Sequence, residues 1–157
     1  MYFWNIDKLK EEMAAGPFTD RQLLPYVVTL TALSSAAVTL LVLVGSLTGM
    51  NLWDWLSGAS SFLLAIVGTL FIYRRNGGPE GKHFLQRILV VGWVVSIRCL
   101  VAMVAIMFLL AVLVWSDETV DTKWYDALLF AVVEAVAYWR IGYHVRDLAT
   151  RTADGLA

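Results

Sequence analysis

The sequence predicts an all-α membrane protein in which four transmembrane helices form an antiparallel bundle, preceded by N-terminal interfacial amphipathic helices. Hydrophobic residues make up 59% of the 157 residues, whereas soluble domains contain about 45–50%. Charged residues make up 16%, compared with about 25% in soluble domains. The charges are concentrated between long apolar segments. A single soluble domain of this length cannot bury so many apolar side chains, so the composition indicates a lipid-facing surface.

Four apolar segments are long enough to cross the hydrocarbon core of a bilayer, for which a helix needs about 20 residues. The first two are joined by so short a linker that they must be antiparallel neighbours. The third is longer than the core is thick, so we expect it to tilt. The predicted spans are residues 26–47, 52–73, 88–115 and 124–143, within a transmembrane domain of residues 25–148.

The segment before the first span, residues 1–24, predicts two short helices at the cytoplasmic surface of the membrane. Asn5 is suited to cap the first helix, and Gly16 is suited to end it. Thr19 and Gln22 have the spacing of a capping box, so a second helix is expected to begin there. A flexible polar tail is the alternative for this segment. The apolar side of the first helix consists of Ile6, Leu9 and Met13.

The lysine and arginine residues predict which side of the membrane each end faces. Of the 12, three precede the first span, four lie between the second and third spans, and three lie at or beyond the end of the fourth. Lys123 lies on the opposite side, and Arg98 lies within a span. Cytoplasmic loops carry an excess of these residues. Both termini are therefore expected in the cytoplasm of a bacterial-type inner membrane, with residues 149–157 as a flexible cytoplasmic tail.

Small residues recur at four-residue spacing on three of the spans. This spacing is typical of faces where two helix backbones approach closely in a membrane. The partner helix of such a face can belong to the same chain or to another chain. The predicted packing residues are Ala32 and Ala36 in the first span, Ser57, Gly58, Ser61, Ala65 and Thr69 in the second, and Ala127, Ala131 and Ala135 in the fourth.

Four of the polar residues within the third and fourth spans, Arg98, Glu134, Tyr138 and Arg140, are candidates for a functional or structural role. Glu134 lies about 15 Å along the helix from Trp124, near the midplane, where a carboxylate must be protonated, paired or hydrated. Arg98 and Arg140 lie about 25 Å from the outer ends of their spans, close enough to the inner surface for their side chains to reach it. The candidate partners of Glu134 are Arg98, Arg140 and Tyr138, and we expect a polar contact of Glu134 to hold the third and fourth spans together. The sequence leaves open whether Glu134 pairs with Arg98 or faces water.

The loop between the second and third spans is basic and rich in turn residues. Its glycines do not have the spacing of a nucleotide-binding phosphate loop. We therefore expect it to contact anionic lipid headgroups. The residues expected to make this contact are Arg74, Arg75, Lys82 and Arg87.

No motif in the sequence indicates an enzyme, a cofactor or a metal site. His83 and His144 are both expected near the inner surface, so no intramembrane pair is placed to ligate haem. Cys99 is the single cysteine, which excludes an intramolecular disulfide and a cysteine-based metal site. Neither a catalytic triad nor a metalloprotease spacing is present. We expect no catalytic residue, no cofactor, no metal and no nucleic-acid partner.

Together these patterns predict a non-enzymatic polytopic inner-membrane protein. Its partners would be the lipid bilayer and either further copies of the chain or a larger membrane complex, contacted through the small-residue faces. The alternative is a small oligomeric ion channel or a proton- or cation-coupled transporter. In that alternative, intramembrane Glu134 binds the ion and Arg98 sets its charge state.

The predicted orientation is tested with reporters fused to the C-terminus. A fluorescent protein that folds only in the cytoplasm is expected to be active there, and alkaline phosphatase, which needs the opposite side, is expected to be inactive. The same reporters placed in the linker at residues 48–51 should give the opposite pattern. An active C-terminal phosphatase fusion would overturn the orientation.

Overall fold

The structure, a computed structural model, describes residues 5–19, 21–30, 32–34, 49–113 and 122–153. All regular secondary structure in these ranges is helical, as the sequence predicts, and they contain no strand. Residues 21–30 and 32–34 are helical. The other helices are α1 (Ile6–Ala15), α2 (Leu52–Arg75), α3 (Phe84–Leu113) and α4 (Trp124–Ala153), with a 3-10 turn at Gly78–Glu80 between α2 and α3.

In the part of the chain that the structure describes, α2, α3 and α4 are long and apolar enough to cross a membrane. They correspond to the second, third and fourth predicted spans. Most of the first predicted span, residues 35–47 with Ala36, lies outside the described residues. The stretches that are long and apolar enough are Leu52–Arg75, Phe84–Leu109 and Trp124–Arg151.

The last helix is longer than the sequence predicts. α4 continues to Ala153, whereas a flexible tail is expected from residue 149. Asp147 organises this added turn, because its carboxylate accepts from Arg151 Nε at 3.2 Å and its carbonyl accepts from Thr150 Oγ1 at 2.8 Å. Residues 149–153, which the sequence analysis assigns to the tail, are therefore helical, and residues 154–157 lie outside the described residues.

Side-chain caps fix where α1 and α2 begin. The Asn5 carboxamide accepts from the Lys8 backbone N–H at 3.1 Å, which confirms the predicted cap. Asn51 and Asp54 form a reciprocal capping box at the start of α2. Both caps satisfy backbone N–H groups that have no partner within the helix.

The turn before residues 21–30 is also held by a cap. The Gln22 carboxamide oxygen accepts from the Thr19 backbone N–H at 2.9 Å and from the Thr19 hydroxyl at 2.8 Å. This is one half of the predicted capping box. Gln86 of α3 donates from Nε2 to the Phe18 carbonyl at 3.1 Å, so the turn is attached to the start of α3.

α2 and α4 run parallel and make the most extensive contact between described helices. At one end, Asn51 Nδ2 donates to the Thr122 carbonyl at 2.9 Å. Further along, Gly68 lies against Tyr138, and Phe71 lies against Gly142. These contacts advance in the same direction along both helices.

α3 runs opposite to α2 and α4. It begins beside the end of α2, where the rings of Tyr73 and Phe84 pack edge to face with centroids 5.4 Å apart. One face of its first half then lies against the second half of α4, with Gly92 beside Ile141. The ends of α2 and α4 and the start of α3 therefore meet at one end of the molecule.

The buried core lies at that end, and α1 is part of it. The apolar side of α1 is buried against α3 and α4. The apolar side that the sequence predicts for α1 is therefore covered by protein. The core residues are Ile6, Leu9, Met13, Phe18, Tyr26, Ile72, Val90, Val91, Trp93, Val94, Val95, Ile141, Val145 and Leu148.

Because α2 lies close to α4, replacing two glycines of α2 by alanine is expected to change the stability of the protein in different ways. A Cβ atom at Gly68 would overlap the ring of Tyr138, whereas a Cβ atom at Gly58 would meet nothing within 4 Å. We expect Gly68→Ala to lower the free energy of unfolding by about 1–3 kcal/mol through overpacking. Gly58→Ala is expected to leave it equal or higher by up to about 1 kcal/mol, because alanine favours the helix.

Both variants are measured by thermal unfolding of the protein in detergent micelles. Equal stabilities of Gly68→Ala and Gly58→Ala would contradict the packing of Gly68 on Tyr138.

Candidate functional site

The candidate site is formed around the loop that joins α2 to α3. Asn76 ends α2, with its backbone N–H donating to the Ile72 carbonyl at 2.9 Å. Gly77 follows with φ of 101°, a left-handed conformation that glycine adopts without the strain of a Cβ atom. Its N–H donates to the Arg74 carbonyl at 3.2 Å. The chain therefore reverses within a few residues, and the start of α3 lies beside the end of α2.

Asn76 and Arg87 hold this loop from the inside. Arg87 Nη1 donates to Asn76 Oδ1 at 2.9 Å, and Asn76 Nδ2 donates to the Lys82 carbonyl at 3.3 Å. Asn76 is 2% exposed and Arg87 is 4% exposed. A Cβ atom at Gly81 would overlap the Asn76 carbonyl, so this close packing needs glycine. The loop therefore has a defined shape set by buried polar groups.

A cleft of about 510 Å³ opens between this loop and the end of α4. The four residues predicted to contact lipid headgroups all line it. α4 adds Arg146 and Thr150, which sequence reasoning did not assign to this site. The signal for Arg146 was its place among the basic residues of the predicted cytoplasmic side. The lining residues are Arg74, Arg75, Asn76, Gly77, Glu80, Gly81, Lys82, Arg87, Arg146, Ala149 and Thr150.

The contact between α2 and α4 also positions one of the cleft arginines. The Arg75 guanidinium lies over the ring of Phe71, 5.0 Å from its centroid. That ring lies against Gly142, where a Cβ atom would overlap it. Gly142 thus allows Phe71 to lie close to α4, and Phe71 supports Arg75 by a cation–π contact.

Glu134 and Arg98 lie on different helices. Glu134 is half-buried on α4, and it forms no ion pair within the described part of the chain. It interacts electrostatically with Tyr138, one of its predicted partners. Arg98, half-buried on α3, lies within electrostatic range of His144, as does Arg140. Arg98 therefore lies near the part of α4 that carries His144.

His144 is part of a buried polar cluster between α1, α3 and α4. Lys10 and Asp147 also act on it electrostatically. Lys10 Nζ lies 2.7 Å from Asp147 Oδ2, and the lysine side chain is buried. This ion pair connects α1 to α4 at the same end of the molecule as the cleft.

The predicted packing residues fall into two groups by exposure. Five are half-buried on α2 and α4, the pair of helices that pack together, and four are exposed. The half-buried residues are Ser57, Ser61, Ala65, Ala127 and Ala131, and the exposed residues are Ala32, Gly58, Thr69 and Ala135.

The described residues contain no group of three His, Cys, Asp or Glu side chains that could hold a metal ion. Comparisons with protein families, with curated proteins and with solved structures find no match for this chain.

The ion pair between Lys10 and Asp147 predicts that the stability of α1 depends on the buried ammonium group of Lys10. Lys10→Met keeps the apolar stem but removes the ammonium, and it leaves Asp147 without its closest cation. We expect α1 to be destabilised by about 1 kcal/mol, less than for a fully buried pair because Asp147 is partly exposed. Amide hydrogen exchange in residues 6–15 should then be about fivefold faster.

Lys8→Met is the matched control, because Lys8 is exposed and contacts Asn5 through its backbone only. Equal exchange rates of the two variants would show that the ion pair does not hold α1 in place.

Proposed function

We propose that this chain is a non-enzymatic membrane protein that crosses a bacterial-type inner membrane four times. In this proposal it assembles with further copies of itself or within a larger membrane complex. Its small-residue helix faces make the contacts.

The helix directions and the charges support the proposed topology. α2 and α4 run in one direction and α3 runs in the other, as consecutive membrane spans require. The end where α2 and α4 finish carries the basic loop, Arg146 and α1 with Lys10. An excess of basic residues at one end of a set of spans favours the cytoplasmic side, so this end is assigned to the cytoplasm.

The observation that carries the assembly proposal is the exposure of small residues on membrane-crossing helices. Gly58 and Thr69 on α2 and Ala135 on α4 are exposed, whereas their small neighbours are half-buried where α2 and α4 pack together. Helices associate in lipid where small residues let backbones approach, because lipid tails give no hydrophobic drive between them. The exposed small residues are therefore suited to contact another chain.

The second half of α3 also exposes side chains that no other described helix covers. Nearly all residues from 100 to 109 are exposed, on every side of the helix. Since α3 packs on α4 only in its first half, its second half is open to lipid or to another protein chain.

Assembly is tested on protein extracted and purified in a mild detergent. We expect light scattering during size-exclusion chromatography to show an oligomer or a co-purifying partner. Ala32→Leu combined with Ala135→Leu should reduce association, because each added side chain separates the backbones. Ala15→Leu is the control, since Ala15 is exposed on α1, outside the predicted faces and outside the exposed half of α3. A strictly monomeric parent protein with no partner would overturn the proposal.

The Glu134→Gln variant tests the second candidate function, ion-coupled transport. One observation favours transport: the Glu134 carboxylate is half-buried and has no ion pair within the described residues. Under the assembly proposal, the variant keeps its association, and proteoliposomes with parent or variant show the same proton and cation flux. Flux in the parent that is lost in the variant would favour transport instead.

A further inference from the structure

The cleft between the α2–α3 loop and the end of α4 brings together like charges. Five cationic side chains line it, together with a single carboxylate, that of the exposed residue Glu80. Among the residues that the structure describes, Arg74, Lys82 and Arg146 form no ion pair. Cations that share one cleft repel each other, so an anion bound among them lowers the electrostatic free energy. The cationic residues are Arg74, Arg75, Lys82, Arg87 and Arg146.

Two of these cations are held in place before any ligand arrives. Arg87 is almost fully buried and is hydrogen-bonded to Asn76. Arg75 lies over the ring of Phe71. Side chains fixed in this way lose little conformational freedom when a ligand binds, which favours affinity. The positions of these cations are therefore fixed before a ligand binds, unlike those of mobile lysine side chains on a protein surface.

Arginine suits one class of anion in particular. Its planar guanidinium presents parallel N–H donors that match two oxygens of a phosphate group. Four of the five cations are arginines. The volume of about 510 Å³ lies within the range of about 300–1,000 Å³ that is typical of small-ligand sites.

We propose that this cleft binds the phosphate group of an anionic ligand, and that the ligand is the headgroup of an acidic phospholipid. The position of the cleft at the end of α2 indicates that the phosphate group belongs to a lipid. α2 has 24 residues, or about 36 Å of helix, which exceeds a hydrocarbon core of about 30 Å. Arg74 and Arg75, in its last turn, therefore stand in the headgroup layer. The lipid source requires that these helices lie in a bilayer, but phosphate binding does not depend on assembly.

The experiment uses the full chain purified in an uncharged detergent. Phosphatidylglycerol and phosphatidylcholine are titrated separately, and bound lipid is counted by native mass spectrometry. We expect saturable binding of phosphatidylglycerol and much weaker binding of phosphatidylcholine. Inorganic phosphate in the millimolar range should displace phosphatidylglycerol if the phosphate group is what the cleft recognises.

The test variant is Arg74→Gln combined with Arg146→Gln. Both side chains are exposed, so the fold is expected to survive, which circular dichroism and the elution volume check. Loss of two charge-assisted contacts should weaken phosphatidylglycerol binding about tenfold or more. Lys8→Gln combined with Arg21→Gln removes the same charge from exposed positions outside the cleft, and should change binding by less than about twofold.

Each possible result of these titrations leads to a different conclusion about the cleft. Equal weakening by the two double variants would overturn the proposal, because binding would then follow net charge alone. A parent protein that binds neither phosphatidylglycerol nor inorganic phosphate would also overturn it. Cleft-dependent binding of inorganic phosphate without binding of phosphatidylglycerol supports a phosphate site but overturns the lipid source. Each result is separate from the oligomeric state, which is measured on the same samples.

Discussion

The close approach of α2 to α4 is the contact on which the rest of the structure depends. In a bilayer, the hydrophobic effect does not bring two apolar helices together, so packing between backbones must do so. Gly68 provides the space for Tyr138, and Gly142 provides the space for Phe71. These contacts set the parallel direction of the two helices. They also place the end of α2 beside the end of α4, where the basic cleft forms.

The core at one end of the helices gives the molecule two different halves. At the end that carries the cleft, α1 adds its apolar side to the buried core, and Lys10 forms an ion pair with Asp147. Toward the opposite end, nearly all residues of α3 between 100 and 109 are exposed. The half with the cleft is thus suited to hold a site of fixed geometry, and the opposite half is suited to contact lipid or another chain.

The placement of the charges follows from the same division. Arg98 and Arg140 lie within electrostatic range of His144, near the ion pair of Lys10 and Asp147. Arg87, in the first turn of α3, is buried beside Asn76. Positive charge is thus gathered at the end that carries the cleft, where buried polar groups can stabilise it. Glu134 lies earlier along α4, outside this group.

The sequence by itself determined the helical class and the three described apolar segments that are long enough to cross a membrane, because hydropathy and helix length depend on neighbouring residues. For the same reason it determined the cap at Asn5 and half of the capping box at Thr19 and Gln22. It also placed Arg74, Arg75, Lys82 and Arg87 together, around the connection between α2 and α3. Only the tertiary structure decided that α1 packs on α3 and α4, and that Arg146 joins the cleft. Residues far apart in sequence meet at these places, so the contact depends on how the helices pack and cannot be read from local spacing.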